Sequence, residues 1–238
     1  MNGLLAVFAH PDDETFRPGG TLSLLAQSGA SVDVLTFTRG EAGSCGNPPV
    51  CSPDELPTVR EGELHCACQT LGVHLLQLLD YADGQLQQAN YEQMIGHILS
   101  AIEAVKPKIL LSFGREGLSN HPDHIAVGQW TAEAFLLADK ISALYTLAVP
   151  RSLAEKLNMR QIRPVPDEEI TLTVDITSVW DRKMAALRCH VTQWSSSPMA
   201  SASEERQRLF LGREYFVRRL SRDSDKDFLP NVLREYLV

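Results

Sequence analysis

The sequence predicts an α/β fold in which a mostly parallel sheet carries helices on both faces. Three observations lead there. Short apolar runs of strand length alternate along the chain with segments of helical period. Clusters of ionisable residues begin just beyond two of those runs, at Ala9-His10-Pro11-Asp12-Asp13-Glu14 and at His121-Pro122-Asp123-His124, where open α/β sheets bind ligands. With 238 residues, 44% hydrophobic and 22% charged, the chain can build one full core, so a single domain over residues 1–238 is expected.

Leu4 to Phe8 is the first predicted strand, and the first ionisable cluster follows it directly. Gly19 to Ala26 reads as a helix that Gly29 stops. Val32 to Phe37 is a second strand, whose end delivers Arg39 and Glu41 to the same rim as candidates for substrate contact or for a surface ion pair. Residues 42–57 form a Gly/Pro/Ser loop long enough for a lid. The next helix starts near Pro57-Thr58, buries Leu64, Cys68 and Leu71, and stops at Gly72; Arg60 on it faces either the site or solvent. Leu75 to Leu79 is a strand, and the turn after it carries Asp83, a carboxylate placed to bind hydroxyls.

A helix over Tyr91 to Val105 presents Met94, Ile98, Ala101 and Ile102 on one face, and Pro107 separates it from the strand Ile109–Phe113. That strand aims the second cluster. The helix from Pro122 is expected to pack Ile125, Val127 and Ala132 inward. Beyond it come a strand in Ile141–Val149, a short helix at Leu153–Leu157, and a strand at Ile170–Asp175. A helix capped by Thr177 then runs through Trp180, Met184 and Leu187 toward His190, and the tail holds a helix from Glu204 and a strand at Tyr215–Val217.

Composition excludes some partners. A net charge of −8 disfavours nucleic acid and anionic membranes, which want a basic face, and suits a small neutral or cationic ligand. Met1-Asn2-Gly3 lacks the basic start of a leader, and the apolar run after it is too short for one or for a membrane span, so a cytoplasmic protein is expected. Five cysteines, Cys45, Cys51, Cys66, Cys68 and Cys189, make no disulfide framework; the pairing weighed is the local one between Cys45 and Cys51. No G-x-G-x-x-G follows the first strand and there is no P-loop lysine.

The two clusters have the composition of a metal site. Zinc accepts imidazole nitrogen and carboxylate oxygen at about 2.0–2.2 Å and usually takes three protein ligands in catalytic centres. His10 and Asp13 can supply two, and the adjacent carboxylates of Asp12 and Asp13 repel unless a cation or proton lies between them. One can ligate while the other handles protons. His121 and His124 stand three residues apart, so one can be the third ligand and the other an acid. The bland reading of either cluster alone is a turn that caps the next helix.

On these motifs the sequence resembles the LmbE-like (PIG-L) family of zinc-dependent N-acetylglucosaminyl deacetylases. The resemblance adds Gly19-Gly20-Thr21-Leu22 to the two clusters and, less specifically, Thr38 to Gly43, Arg60-Glu61 with Leu71-Gly72-Val73, Asp83-Gly84, and Lys183 through His190 to Gln193. It implies a Rossmann-like three-layer sandwich. It also implies zinc, with iron(II) as the alternative, on His10, Asp13 and His124. Asp12 would be the general base, His121 the group that stabilises the oxyanion or protonates the leaving amine, and Asp123 the holder of the His121 ring. Arg60 would touch substrate; Arg39, Glu41 and Asp83 remain substrate-contact candidates from their place at the strand ends, with a surface ion pair open for the first two. Some members place an aromatic hydroxyl before the histidine pair, where this chain has Ser119-Asn120.

The implied activity is hydrolysis of an N-acetyl group on a glucosamine-containing conjugate, giving acetate and a free amine. Two alternatives stay open at this level: a metal-dependent hydrolase of another bond, such as a phosphoester or non-sugar amide, and a non-catalytic relative that keeps its metal. Sequence leaves the oligomeric state open.

Overall fold

A computed structural model describes residues 3–222 and 227–238. Met1 and Asn2 of the opening segment lie outside these. The chain forms one seven-stranded sheet: β1 (Gly3–Phe8), β2 (Ser31–Thr38), β3 (His74–Tyr81), β4 (Ile109–Phe113), β5 (Ala143–Ala148), β6 (Leu172–Asp175) and β7 (Arg213–Ser221), in the order β3-β2-β1-β4-β5-β7-β6. The first five pair in parallel, and β7 runs antiparallel between β5 and β6. Every residue of β1, β4 and β5 is buried, as expected of parallel strands covered on both faces, and this is why their sequences read as near-continuous apolar runs, interrupted at Ser112 in β4 and Thr146 in β5.

The principal helices are α1 (Gly19–Gln27), α2 (Leu56–Leu71), α3 (Tyr91–Val105), α4 (Pro122–Leu137), α5 (Arg151–Lys156), α6 (Trp180–Cys189) and α7 (Glu204–Leu211). α1, α2 and α6 pack on one another, and α3 packs on α4, so the sheet is the middle of three layers. Strand order reverses between β1 and β4, with β2 to one side and β5 to the other. A crevice opens at such a switch point, beyond the carboxyl ends of the strands. Both ionisable clusters empty into it.

Several local expectations are corrected. The buried face of α4 is Ala126, Val127, Trp130, Thr131, Ala134 and Phe135; Ile125 and Ala132 are half-buried flanks. Thr177 does not cap α6, which lacks a side-chain cap: Thr177 opens a 3-10 turn and its N–H donates to Asp175 Oδ1 at 2.8 Å. The last strand is nine residues long. Cys66 on α2 is bonded to Cys189 at the end of α6, while Cys45 and Cys51 are free. Those partners are 123 residues apart in sequence, so spacing carried no trace of the pair.

A buried ion pair fixes the start of α1. Glu214 on β7 accepts from the N–H groups of Gly20 and Thr21 at 2.8 and 2.7 Å, and Lys183 Nζ on α6 lies 2.6 Å from the same carboxylate. All of this is buried. Gly20 has no alternative here, because a Cβ would sit 2.6 Å from Ile176 Cβ. Removing one member of a buried pair strands the other charge and typically costs about 3–5 kcal/mol. Lys183→Met is therefore expected to lower the unfolding free energy from urea titration by that order, and Lys183→Met with Glu214→Gln to recover part of it.

Candidate functional site

The first cluster turns sharply after β1. Asp12 has φ of 118°, a left-handed conformation unusual for a side chain other than glycine, and neighbours hold it there. Its N–H donates to Glu14 Oε2 at 3.0 Å, and its carbonyl accepts from Thr15 Oγ1 at 2.7 Å. Asp13 Oδ2 accepts from the N–H groups of His10 and Ala9 at 2.9 and 3.2 Å, which folds that carboxylate back toward the strand end.

The second cluster is set by α4. Gly128 lets the helix approach β4, since a Cβ would lie 2.7 Å from the Phe113 carbonyl oxygen. Phe113, the last residue of β4, stacks on His124 with ring centres 4.0 Å apart and planes 7° from parallel. His124 Nδ1 faces the Gly117 carbonyl at 3.0 Å, so Nδ1 carries the proton and Nε2 keeps its lone pair.

The two halves meet there. His124 Nε2 lies 3.2 Å from His10 Nδ1 and 3.3 Å from Asp13 Oδ1, and His10 Nδ1 lies 3.8 Å from Asp13 Oδ2. His10 Nε2 is committed to acceptors, 2.9 Å from Asp83 Oδ1 and 3.2 Å from Asp123 Oδ2. Two imidazole lone pairs and a carboxylate thus point into one space, an arrangement that only a proton or a metal ion satisfies. Ligands about 2.0–2.2 Å from a tetrahedral ion lie roughly 3.3–3.6 Å from one another. The donor set fits a divalent cation.

Titration expresses the same demand. Burial opposes charge on His10, but Asp123, Asp83 and Asp13 overcome it and push the imidazole up to about 10. Burial also works against the Asp13 carboxylate, yet His124 and His10 beside it hold it well below the usual range. Asp12 behaves oppositely. Burial pushes its carboxyl up to about 6, with Asp13 adding to the rise and Arg60 opposing it. The His121 imidazole is lowered by burial and by its histidine neighbours.

Among the residues predicted for the site, the structure brings together His10, Asp12, Asp13, Asp83, His121, Asp123 and His124. It changes what several of them touch. The Asp123 carboxylate does not hold the His121 ring: it is fully buried, accepts from Gly84 and Leu86 N–H at 2.7 and 3.0 Å, and supports His10. His121 is fixed by the Asp123 backbone, whose N–H donates to Nδ1 at 3.2 Å. This leaves the proton on Nε2. Asp83 likewise holds His10. Arg60 is buried, donating to the Gly40 and Pro11 carbonyls and lying 3.4 Å from Asp12 Oδ2. Arg39 pairs with Glu61, and Glu41 accepts from the Asp83 N–H; neither lines the cavity.

Sequence reasoning gave no role to Glu14 and left His190 as a packed histidine or a family mark. Both are buried, with His190 Nε2 2.6 Å from Glu14 Oε1, so α6 reaches through Glu14 to the Asp12 backbone. Their separation of 176 residues hides the link from any spacing argument. The 42–57 loop is pinned to this region: Gln193 Nε2 donates to the Ser44 carbonyl at 2.8 Å, and the Asn47 N–H to Ser195 Oγ at 2.9 Å. The cavity above the cluster measures about 780 Å³.

Residues 5–135, more than half of the chain, match the GlcNAc-PI de-N-acetylase (PIG-L) family. The chain belongs to that family. A 1D-myo-inositol 2-acetamido-2-deoxy-alpha-D-glucopyranoside deacetylase of Acidothermus cellulolyticus is 30% identical over 260 residues, covering 91% of this chain and 88% of its own. Two solved structures share the fold. N,N'-diacetylchitobiose deacetylase from Pyrococcus horikoshii has a TM-score of 0.64 at 18% identity, over 99% of this chain and 78% of its own. The 4-carboxy-2-hydroxymuconate hydratase GalB from Pseudomonas putida has a TM-score of 0.69 at 20% identity, over 94% and 98%. These two likenesses concern fold alone, and the family rests on the sequence match.

Arg60 holds the Asp12 carboxyl down against burial, so removing its charge lets the carboxyl rise. In Arg60→Gln the Asp12 carboxyl, followed by carbon NMR in chelator-treated protein, is expected to titrate above its wild-type midpoint. An unchanged midpoint would mean that the guanidinium does not govern it.

Proposed function

We propose that the protein is a metal-dependent deacetylase that hydrolyses the N-acetyl amide of a glucosamine-containing conjugate. The observation that carries the reading is the convergence of His10 Nδ1, His124 Nε2 and Asp13 on one space, with Asp12 beside it and a roomy cavity above. The family to which the chain belongs and the name of its Acidothermus relative support the bond type.

In this reading His10, Asp13 and His124 hold the cation, zinc by donor type, with iron(II) equally acceptable to imidazole and carboxylate. When bound, the cation supplies Lewis acidity, polarising the amide carbonyl and acidifying the attacking water. The remaining work falls to side chains. Asp12, a fifth exposed toward the cavity, accepts the proton of the attacking water as the new C–O bond forms. His121 donates its Nε2 proton as a hydrogen bond to the oxygen on which negative charge collects. As the C–N bond breaks, the proton held by Asp12 passes to the leaving amine, and acetate is released. Arg60 limits the rise of the Asp12 carboxyl, so that at neutral pH Asp12 is an anion able to take a proton and a weak enough base to return it.

We place this chemistry in the cytoplasm on composition. No helix among the described residues is long and apolar enough to cross a membrane. The Cys66–Cys189 bond runs against the usual redox state of that compartment.

The test uses metal-loaded protein and a panel of N-acetylated amino sugars, with acetate and new primary amine both quantified. Equimolar release that chelator abolishes is expected. Asp12→Asn should keep one bound metal and lose about 10²–10⁴-fold in kcat, whereas His124→Ala should lose the metal itself. Metal retention in His124→Ala, or full turnover in Asp12→Asn, contradicts the assignment.

A further inference from the structure

The end of α6 ties several parts of the site to one another. Cys189, its last residue, is bonded to Cys66 on α2. His190, next in the chain, holds Glu14 and through it the Asp12 backbone. Thr192 is gripped from α2: its N–H and Oγ1 donate to Glu63 at 2.8 and 2.6 Å, and both residues are buried. Gln193 holds the Ser44 carbonyl and lines the cavity. On α2 the matching residues, Arg60, Glu63, Cys66 and Thr70, recur at helical spacing and so share one face. Arg60 at one end of that stripe lies 3.4 Å from Asp12 Oδ2. Asp12 is thus supported by α2 directly and by α6 through His190 and Glu14, and the disulfide joins the two supports.

That bond is open to attack from solvent. Cys66 is exposed and Cys189 half-buried, whereas the neighbouring free cysteine on α2, Cys68, is buried. Thr70 Oγ1 lies 3.6 Å from Cys189 Sγ, placed to donate a hydrogen bond to a thiolate formed there. An incoming thiolate therefore has access at Cys66 and a stabilised leaving group at Cys189. Exposed disulfides are the labile ones, and where thiols are kept reduced a disulfide is usually transient or redox-sensing.

We propose that the Cys66–Cys189 bond is a redox-operated clamp on the site: closed, it keeps the two supports of Asp12 together, and opened by a dithiol reductant it frees the end of α6 from α2 and turnover falls. In the opening step one thiolate of the reductant bonds to Cys66 Sγ as the disulfide breaks, and Cys189 departs with the electron pair and takes up a proton. The reductant's second thiolate then attacks its own sulfur in the mixed disulfide, and Cys66 leaves and is protonated in turn. The reductant ends as a disulfide, having given up two electrons and two protons. The inference rests on the deacetylase reading for the role of Asp12, and goes beyond it in making the site responsive to thiols.

Oxidised and dithiothreitol-reduced metal-loaded protein, the reductant removed under nitrogen and the metal content measured, are compared by amide hydrogen exchange and by turnover. Reduction is expected to speed exchange of the Thr192 and Asp12 amides about tenfold while β1 stays protected. It should also lower kcat on N-acetylated amino sugars about tenfold, at similar KM and equal metal content. Reoxidation by an oxidised dithiol restores both readings. The Cys66→Ser/Cys189→Ser variant is expected to stand at the reduced level and to ignore either reagent. Equal exchange or equal turnover of an active enzyme in the two states overturns the clamp, as does loosening at Thr192 that does not reach Asp12. A loss of turnover accounted for by lost metal, or a redox response that persists in the double variant, overturns it too. Loosening at both amides without acetate release from any substrate overturns the deacetylase reading and leaves the clamp standing.

Discussion

Two imidazole nitrogens face each other across 3.2 Å with a carboxylate oxygen alongside, and the rest of the architecture serves to hold them there. Like dipoles pointed at one another are unstable unless a positive charge lies between. The sheet makes the juxtaposition possible, because β1 and β4 are neighbours whose crossovers leave in opposite directions, and both clusters sit on the chain immediately beyond those strands. A chain with the same residues and a different strand order would scatter them.

Holding such a cluster requires charges that are themselves compensated. His10 is propped by Asp83 and Asp123, and the latter is satisfied by two backbone N–H groups. Asp12 is steadied through Glu14 and His190 on one side and Arg60 on the other, while Lys183 and Glu214 lock the start of the next helix. Buried ion pairs of this kind contribute little net stability but make alternative arrangements costly. Their concentration behind the site, drawn from α2, α6 and β7, explains why the C-terminal third of the chain supports a site whose motifs end at His124.

Much of the fold was legible because its signals are local. Near-continuous apolar runs announced β1, β4 and β5, Gly29 and Gly72 marked real helix stops at φ of 83° and 78°, and Tyr91–Val105 is the helix its periodicity predicts. The two clusters were legible as chemistry because histidines and aspartates at strand ends have few other uses. What sequence hid was pairing at a distance: Cys66 with Cys189, Glu14 with His190, and Asp123 with His10. Asp123 is instructive, since the family resemblance implied that it holds the His121 ring, while the first turn of α4 aims its side chain at the other cluster.

The central claim is that one cation is shared by His10, Asp13 and His124. Anomalous diffraction from crystals of the metal-loaded protein, collected on both sides of the metal's absorption edge, tests it most directly. The account predicts a single strong peak about 2.0–2.2 Å from His10 Nδ1, His124 Nε2 and an Asp13 carboxylate oxygen. A peak held instead by Asp83 and Asp123, or none within reach of both histidines, would contradict it.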